Sequence, residues 1–571
     1  MRLIRRDPNN GYIDSVLWIP KTQVNVEGVK SALTFTVNDK KELGGIRFLH
    51  LFRETPNHLL VPREFWEVSE LAFPVIDNRP KSFPKVSVTS KITLDLKTPT
   101  ESVQRDAVKA MQSARGGILQ LACGKGKTVC ALELIAREQV PAIIIVDNTH
   151  LVNQWLEAIN MFLDVPGGIG MIGDGRFDWK KSVVIATYQT LSQKVLEFPQ
   201  EARHWFGLTI WDEAHHMAAP TWAKTADLFY GKRIGLTATP ERADGTHVIY
   251  DFHIGKVLYK DLIQELKPAI YFYWTGLDPD FNDPYIKAHT HSSTGELHTG
   301  MLAGYFGQWR ERLDLILHEV KTAERQGRRV LVLSYSIAEL INLFTLWCGS
   351  TELYTDIKYP TAQEVGETLE PAALTPQKMK SIFKRKAILQ RGLADPKVTD
   401  TYPLKMQLKE IDIHLRANDV AKKCAAEYAR RQRDFLKKAL SSNVSNTGIM
   451  IGDIPADKRM KTLREKQVVF SIMKYGREGL DEQSLDTVFV CEPMSQKNGL
   501  QQLMGRVLRK KAGKKTPVVV FFEDNVGPMI GMCTNLRRHL RSWPHDEGGP
   551  FEYHHVNHPT KEKDRKTWAT L

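Results

Sequence analysis

Cysteine is sparse in this chain. The six cysteines, Cys123, Cys130, Cys348, Cys424, Cys491 and Cys533, form no CxxC pair. That argues against a zinc knuckle or a disulfide framework, and a reducing interior is the simpler setting. Long apolar runs are also missing. Stretches such as Ala142–Val146 fall far short of the ~20 residues a spanning helix needs. The start, Met1-Arg-Leu-Ile-Arg-Arg6, is basic but no apolar h-region follows it, so no secretory signal is expected. An excess of acid is absent too: 79 Lys and Arg face 66 Asp and Glu, for a net charge of +13. Such a balance points to a polyanion, either nucleic acid or an anionic membrane surface. No basic amphipathic anchor stands out, so nucleic acid leads and no membrane is expected. The apolar fraction of 42% and charged fraction of 25% exclude wholesale disorder.

What is present is a long chain of 571 residues, enough for about three to five domains. Residues 1–98 read as short strands (Tyr12–Ile19, Ala32–Val37, Ile46–Phe52, Leu59–Pro62) and then a Lys/Pro/Ser/Thr-rich linker from 79. They are taken as a β-rich accessory domain. From 99 to 260, apolar strands alternate with helical segments: Val103–Ser113 helical, Gly117–Leu121 extended, a helix from Lys127, a strand at Ala142–Asp147, a helix from His150. Strands follow at Val183–Thr187, Leu208–Asp212 and Arg233–Thr237. This is the βαβ rhythm of a parallel sheet. Residues 261–326 serve as a connector. A second α/β set spans 327–349 and 446–545, with strands at Arg329–Ser334, Val468–Ile472, Thr487–Cys491 and Pro517–Phe522. It is interrupted by a basic helical insertion, 350–445, where Leu404, Leu408, Ile411 and Leu415 recur at helical spacing. Residues 546–571 form a polar tail. Its His554-His555-Val-Asn-His558 cluster is read as a loose loop rather than a metal site.

Leu121-Ala-Cys-Gly-Lys-Gly-Lys-Thr128 follows a buried strand and opens a helix. Gly124, Lys125 and Gly126 suit close approach of backbone N–H groups to phosphate. Lys127 supplies charge for the β/γ-phosphates, and Thr128 a hydroxyl for Mg²⁺. The first glycine of the usual pattern is replaced by Leu121. Trp211-Asp-Glu-Ala-His215 places two carboxylates at a strand end, where nucleotide sites form. Asp212 suits Mg²⁺, and Glu213 suits the general base that polarises water. Arg506 and Arg509 lie three apart, so one helix face carries two guanidinium forks.

In order and kind, these motifs resemble the superfamily 2 helicases and translocases of the DExH group. Gln104 stands at the position of the adenine-reading glutamine, and Leu121–Thr128 at motif I. Asp147–Trp155 resembles motif Ia, Ala186–Leu191 motif Ic, and Asp212–His215 motif II. Gly235–Pro240 resembles motif III, Val330–Tyr335 motif IV, Gly476–Asp481 motif V and Gln502–Arg509 motif VI. Motif I and Thr237–Gly245 look most like the XPB/UvsW neighbourhood and similar phage and large-virus DNA helicases. The resemblance implies two RecA-like parallel-sheet motor domains with ATP and Mg²⁺ bound in a cleft between them. Gln104, His215, Gly479, Asp481, Gln502, Arg506 and Arg509 then join the motif I and II residues around ATP. Thr237 and Thr239 would couple hydrolysis to movement. Asn148, Thr149, Thr187, Gln189, Ser471 and Gly476 are the candidate nucleic-acid contacts, made to sugar–phosphate rather than bases. Trp155 is read as packing within its helix, with base stacking as the alternative. Arg242 and Asp244 resemble a segment of XPB-like proteins or form a structural turn.

The expectation is therefore an α/β chain acting as an ATP-dependent DNA helicase or translocase. Single-stranded, forked or branched DNA is the expected partner, with RNA left open. A monomer in bacterial or phage-infected cytoplasm is expected, and no protein partner is named. The alternatives are a duplex translocase that displaces bound protein, and an ATP-gated binding scaffold. The charge is uneven: residues 101–260 carry 17 basic and 17 acidic side chains, whereas 351–440 carry 18 and 12, and 501–571 carry 13 and 7. The accessory parts should thus hold duplex through salt-sensitive phosphate contacts.

Overall fold

The computed structural model describes residues 6–38, 46–94, 98–122, 124–195, 197–218, 222–238, 248–263, 266–278, 305–394, 401–441, 446–452, 454–477, 482, 484–494, 499–500, 503–504, 513–545 and 549–557. Two compact units result: Met1–Trp274 with Lys474–Leu571, and Thr275–Met473. The architecture is α/β with parallel sheets, a β-rich N-terminal region and a long helical hairpin.

In the first unit, the N-terminal residues build a five-stranded sheet from β1 (Gly11–Ile13), β2 (Val16–Pro20), β5 (Arg53–Glu54), β6 (His58–Pro62) and β7 (Val75–Asp77), in the order β5-β6-β2-β1-β7. The run Tyr12–Ile19, expected as one strand, is a hairpin. Asp14 Oδ1 accepts from Val16 N at 3.0 Å, an Asx turn that reverses the chain. The expected strand Ala32–Val37 begins as a helix, α1 (Val26–Ala32), capped by Asn25. Only then does β3 (Thr34–Asn38) pair with β4 (Ile46–His50). Leu17, Ile19, Leu33, Leu59 and Val61 close a small core.

The linker is strapped down rather than loose. Its β8 (Thr89–Ser90) pairs with β11 (Leu163–Asp164), and Val88 is fully buried in the core of the next domain. Helix α2 (Pro99–Ser113) starts four residues before the expected Val103. Thr98 and Glu101 form a reciprocal capping box, with proline in the first turn.

The central sheet has eight strands. They are β9 (Gly116–Leu121), β10 (Ala142–Val146), β12 (Ile169–Gly173), β13 (Arg176–Phe177), β14 (Val183–Thr187), β15 (Leu208–Trp211), β16 (Lys232–Thr237) and β17 (Val257–Asp261). The order is β13-β12-β14-β10-β15-β16-β9-β17. Every pairing except β12–β13 is parallel. The strands read as unbroken apolar runs because both faces are covered. Ile144 points to one apolar layer, and Ile143 and Ile145 to the other. Helices α3 (Lys127–Glu138) and α4 (Thr149–Phe162) pack in the first layer; α5 (Tyr188–Gln193) and α6 (Val248–Ile254) contribute to the second.

The N-terminal module docks on this domain through buried arginines. Arg63 Nη1 donates to the Tyr230 and Gly231 carbonyls at 3.1 and 3.0 Å. Arg233 on β16 reaches back to the Ser15 carbonyl at 2.7 Å. Four further strands in the same unit run parallel in the order β22-β23-β18-β24: β22 (Thr487–Val490), β23 (Val518–Glu523), β18 (Ala269–Trp274) and β24 (His554–Asn557). The His554-His555 segment, expected as a loose loop, is thus strand β24, held by main-chain pairing to β18.

The second unit contains β19 (Val330–Ser334), β20 (Thr447–Met450) and β21 (Val468–Ile472), parallel in the order β20-β21-β19. Its insertion is a hairpin of Pro376–Ala394 and Tyr402–Ser441. The apolar stripe turns inward at Ile411, Val420 and Cys424. Many of its cations are paired locally: Lys386 with Asp412, Lys423 with Glu367, Arg430 with Glu427 and Asp434, and Arg431 with Glu364. Among the described residues no helix is long and apolar enough to cross a membrane.

Candidate active site

The C-terminal edge of a parallel sheet is where helix N-termini and loops converge on ligands. Here that edge collects the ends of β9, β16, β15, β10 and β14, which are successive neighbours. Motif I follows β9, and motif III ends β16. Motif II follows β15, motif Ia follows β10, and motif Ic follows β14. One edge therefore carries every described first-domain motif, with the phosphate turn at one side and the candidate strand contacts at the other.

The turn between β9 and α3 needs left-handed backbone. Gly124 has φ +87° and Gly126 φ +82°, conformations that glycine adopts without cost. A Cβ at Gly126 would lie 2.1 Å from Gln104 Nε2, so the glycine also admits that side chain. Gln104 Nε2 donates to the Lys125 carbonyl at 3.2 Å, which places the expected adenine reader against the loop. Lys127 opens α3 and donates from Nζ to the Leu121 carbonyl at 3.1 Å. Thr128 follows it, half-buried in the first turn of α3. Lys125 behaves differently. Its ammonium is held by Asp261 Oδ2 at 2.6 Å, so its side chain braces the loop from β17. Asp261 was not among the expected residues, and no local pattern marks it.

Asp212 is buried just past β15. Its Oδ1 accepts from Glu213 N at 3.0 Å, and its Oδ2 from Trp155 Nε1 at 2.8 Å. Burial, and then the Glu213 charge, push its carboxyl up to about 6. The Trp155 hydrogen bond and the Lys127 cation oppose that rise. Lys127 is thus close enough to act on the carboxylate. Glu213 has φ +45°, a left-handed conformation rare for a side-chain-bearing residue. Its Oε2 lies 3.4 Å from His215 Nδ1, which also lies 3.3 Å from Thr237 Oγ1. Motifs II and III are thereby joined side chain to side chain.

The donor set fits a magnesium–nucleotide complex. Two glycines form the cradle, a lysine sits at the helix start, and a hydroxyl and a carboxylate offer hard oxygen ligands. Thr128 and Asp212 are the residues suited to hold the ion.

The candidate strand contacts are placed less uniformly. Asn148 caps α4, its Oδ1 accepting from Leu151 N at 3.1 Å. Thr187 caps α5, its Oγ1 accepting from Thr190 N at 3.2 Å. Val146 and Thr187 are register partners, so both caps share one corner of the edge, where Thr149 and Gln189 are exposed. Ser471 is a correction: it is fully buried in β21 with its hydroxyl donating to the Ile472 carbonyl, so it presents nothing to a phosphate. Gly476 lies in the short helix Met473–Arg477. Trp155 is 2% exposed, which removes base stacking. Thr239, Arg242, Asp244, Gly479, Asp481, Gln502, Arg506, Arg509 and His558 lie outside the described residues.

A glycine–lysine turn and an Asp-Glu pair on one parallel-sheet edge give the arrangement of a P-loop domain. The family model for the type III restriction enzyme, res subunit, matches residues 97–242. That segment also carries the similarity to the helicases and translocases that follow. Over 193 residues the chain is 37% identical to the DNA 3'-5' translocase XPB2 of Sulfurisphaera tokodaii, covering 34% of this chain and 40% of that protein. It is 24% identical over 304 residues to the putative ATP-dependent RNA helicase L396 of Acanthamoeba polyphaga mimivirus, covering 52% and 56%. The chain thus matches about half the length of these relatives or less. The crystal structure of T4 UvsW aligns over 96% of this chain and 99% of that one, with 14% identity and a TM-score of 0.31.

Proposed function

We propose that this protein is a nucleic-acid-dependent ATPase, a DNA helicase or translocase that couples hydrolysis to movement on DNA. Strand separation or branch remodelling in replication, recombination or repair is the work it would do. The observation that carries the reading is the shared sheet edge. Lys127 and Asp212 sit at the ends of β9 and β15, with β16 between them and Asn148 and Thr187 on the adjoining strands.

In this reading Gly124, Gly126 and Lys127 bind the phosphates, and Gln104 meets the base. Thr128 and Asp212 would hold a magnesium ion, which when bound would supply charge neutralisation for the phosphoryl group. Glu213 takes the proton of the attacking water at its carboxylate. Arg506 and Arg509, assigned from the resemblance, stabilise the charge that develops during transfer. Thr237 meets His215 and so feels the state of motif II. Phosphoryl transfer asks mostly for positioning and electrostatics, which a buried, hydrogen-bonded carboxylate and a rigid turn supply.

ATP turnover measured alone and with single-stranded, duplex, forked and junction DNA, and with RNA, tests the proposal. Stimulation by DNA supports it. Turnover indifferent to every nucleic acid refutes the motor reading. Stimulation without strand separation assigns the protein to duplex translocation; the Sulfurisphaera tokodaii relative is named a DNA 3'-5' translocase.

A further inference from the structure

We propose that Trp155 is a positioning residue for the metal carboxylate Asp212, and that it ties helix α4 to the hydrolysis site. The inference rests on the magnesium–nucleotide reading above. Trp155 lies in the second turn of α4, within the core that also holds Val146, Val152, Ile159 and Leu163. Packing alone asks only for an apolar side chain there. An indole adds one polar atom, whose N–H usually finds an acceptor when buried. The acceptor is Asp212 Oδ2, 2.8 Å away and 57 residues along the chain. The core does not satisfy indoles by default: Trp211 is fully buried next to Asp212, and its Nε1 has no partner.

Both Asp212 oxygens are therefore fixed by neutral N–H donors, Oδ2 by Trp155 and Oδ1 by the Glu213 backbone. Neutral donors orient a carboxylate without cancelling its charge, leaving it able to serve a cation. A lysine or arginine in the same place would compete with the ion. Outer partners of this kind fix the direction of a ligand's lone pairs and tune the site. The same helix begins at Asn148 and Thr149, the candidate strand contacts, with Thr149 exposed. One rigid element thus carries a strand-facing end and, less than two turns on, the donor that aims the metal carboxylate. A shift of α4 on engaging a strand would move that donor directly.

Trp155→Phe and Trp155→Leu both keep an apolar filler and delete the N–H. The readouts are the Mg²⁺ dependence of binding a fluorescent ATP analogue, the KM for ATP at saturating Mg²⁺, the stimulation by single-stranded DNA, and the melting temperature. The expected result is a half-saturating Mg²⁺ concentration raised by ~10–100-fold. KM at saturating Mg²⁺ should change little, DNA stimulation should shrink, and both variants should melt cooperatively. In an Asp212→Asn background the Trp155 substitutions should add no further Mg²⁺ effect. An unchanged Mg²⁺ dependence in the variant that folds, or the same shift with and without Asp212, overturns the inference. Wild-type protein that binds the analogue without any need for Mg²⁺ overturns the underlying site reading instead.

Discussion

Replacing Arg233 by methionine should cost about 3 kcal/mol of stability, although this residue lies outside the catalytic motifs. Its guanidinium is fully buried. Nη1 donates to the His253 carbonyl at 2.7 Å. Nη2 serves the carbonyls of Ser15, Ala226 and Phe229 at 2.7, 2.6 and 3.0 Å. Methionine keeps much of the apolar stem and removes every donor, so four buried carbonyls lose a charged partner. Hydrogen bonds to a charged group contribute roughly 1.5–3 kcal/mol each. Three of these share one nitrogen, so they do not add, and the sum is closer to two full bonds.

A second term has the same sign. Asp227 is half-buried beside Arg53 and Arg233, whose charges hold down a carboxyl that desolvation pushes up. Removing one cation leaves that carboxylate less compensated. The opposing term is desolvation, which already lowers the Arg233 pKa well below normal and vanishes with methionine. A net loss near 3 kcal/mol corresponds to a fall of ~6–12 °C in Tm for a domain of this size. Thermal and urea melts read it, and limited proteolysis near residues 79–98 reads release of the N-terminal module, which the Ser15 contact anchors. A melting shift below about 2 °C would show that the arginine is no strut.

Lys127→Ala should abolish ATP turnover while retaining much DNA binding, and Glu213→Gln should bind ATP yet hydrolyse it very slowly; single-turnover assays beside filter binding check both. His253 supplies a pH test. Burial, with Arg233 and Arg53 nearby, pushes it down to about 3, below the unfolded value near 6.5. The folded form then binds fewer protons between those values, so its stability is full above about 6.5 and falls as pH drops through the window, by up to about 1.4 kcal/mol per unit. His253→Leu should flatten that slope, and the difference between the two melting curves cancels the opposing contributions of Asp212 and Asp227; parallel curves would refute the assignment. Deleting residues 355–440 should weaken DNA binding and lower its salt slope by about two or more, with basal ATPase less affected; an unchanged slope would make the hairpin only a brace.

The sheet was legible wherever strands are buried on both faces. Val183–Thr187 and Val468–Ile472 appear at their expected limits, because a fully covered strand is an unbroken apolar run. The glycine–lysine turn after β9 and the Asp-Glu pair after β15 stood out in the sequence because phosphate chemistry would restrict such turns to glycine, lysine and paired carboxylates at short spacing. What stayed hidden is long-range or locally capped. Asp14 breaks a strand that hydropathy runs straight through. Trp155 and Asp212 are 57 residues apart, and Lys125 and Asp261 are 136 apart; no local period links either pair. Strand β24 is polar and exposed at three of its four residues, as an edge strand can be, and it therefore looked like tail. The capping box at Thr98 and Glu101 was readable and would have set the start of α2 correctly.

The left-handed backbone at Glu213 ties these observations together. A residue with a side chain at φ +45° costs roughly 1–3 kcal/mol, and glycine at the same place would relieve it. A glutamate at this strained position is what the proposed general-base role asks for. The sharp turn does two things at once. It brings the Glu213 N–H back onto Asp212 Oδ1 at 3.0 Å, and it sets the carboxylate 3.4 Å from His215. His215 in turn meets Thr237 at the end of the neighbouring strand β16. Asp212, Glu213 and the end of motif III, proposed above as metal carboxylate, general base and coupling element, are therefore linked by short contacts with one strained residue at the centre. A flexible turn would let Glu213 respond to the nucleotide alone. A rigid one would pass any displacement of its carboxylate through His215 to Thr237, and with Trp155 leading from Asp212 into α4, the same few atoms would, in the proposed reading, connect hydrolysis to two elements of the sheet edge.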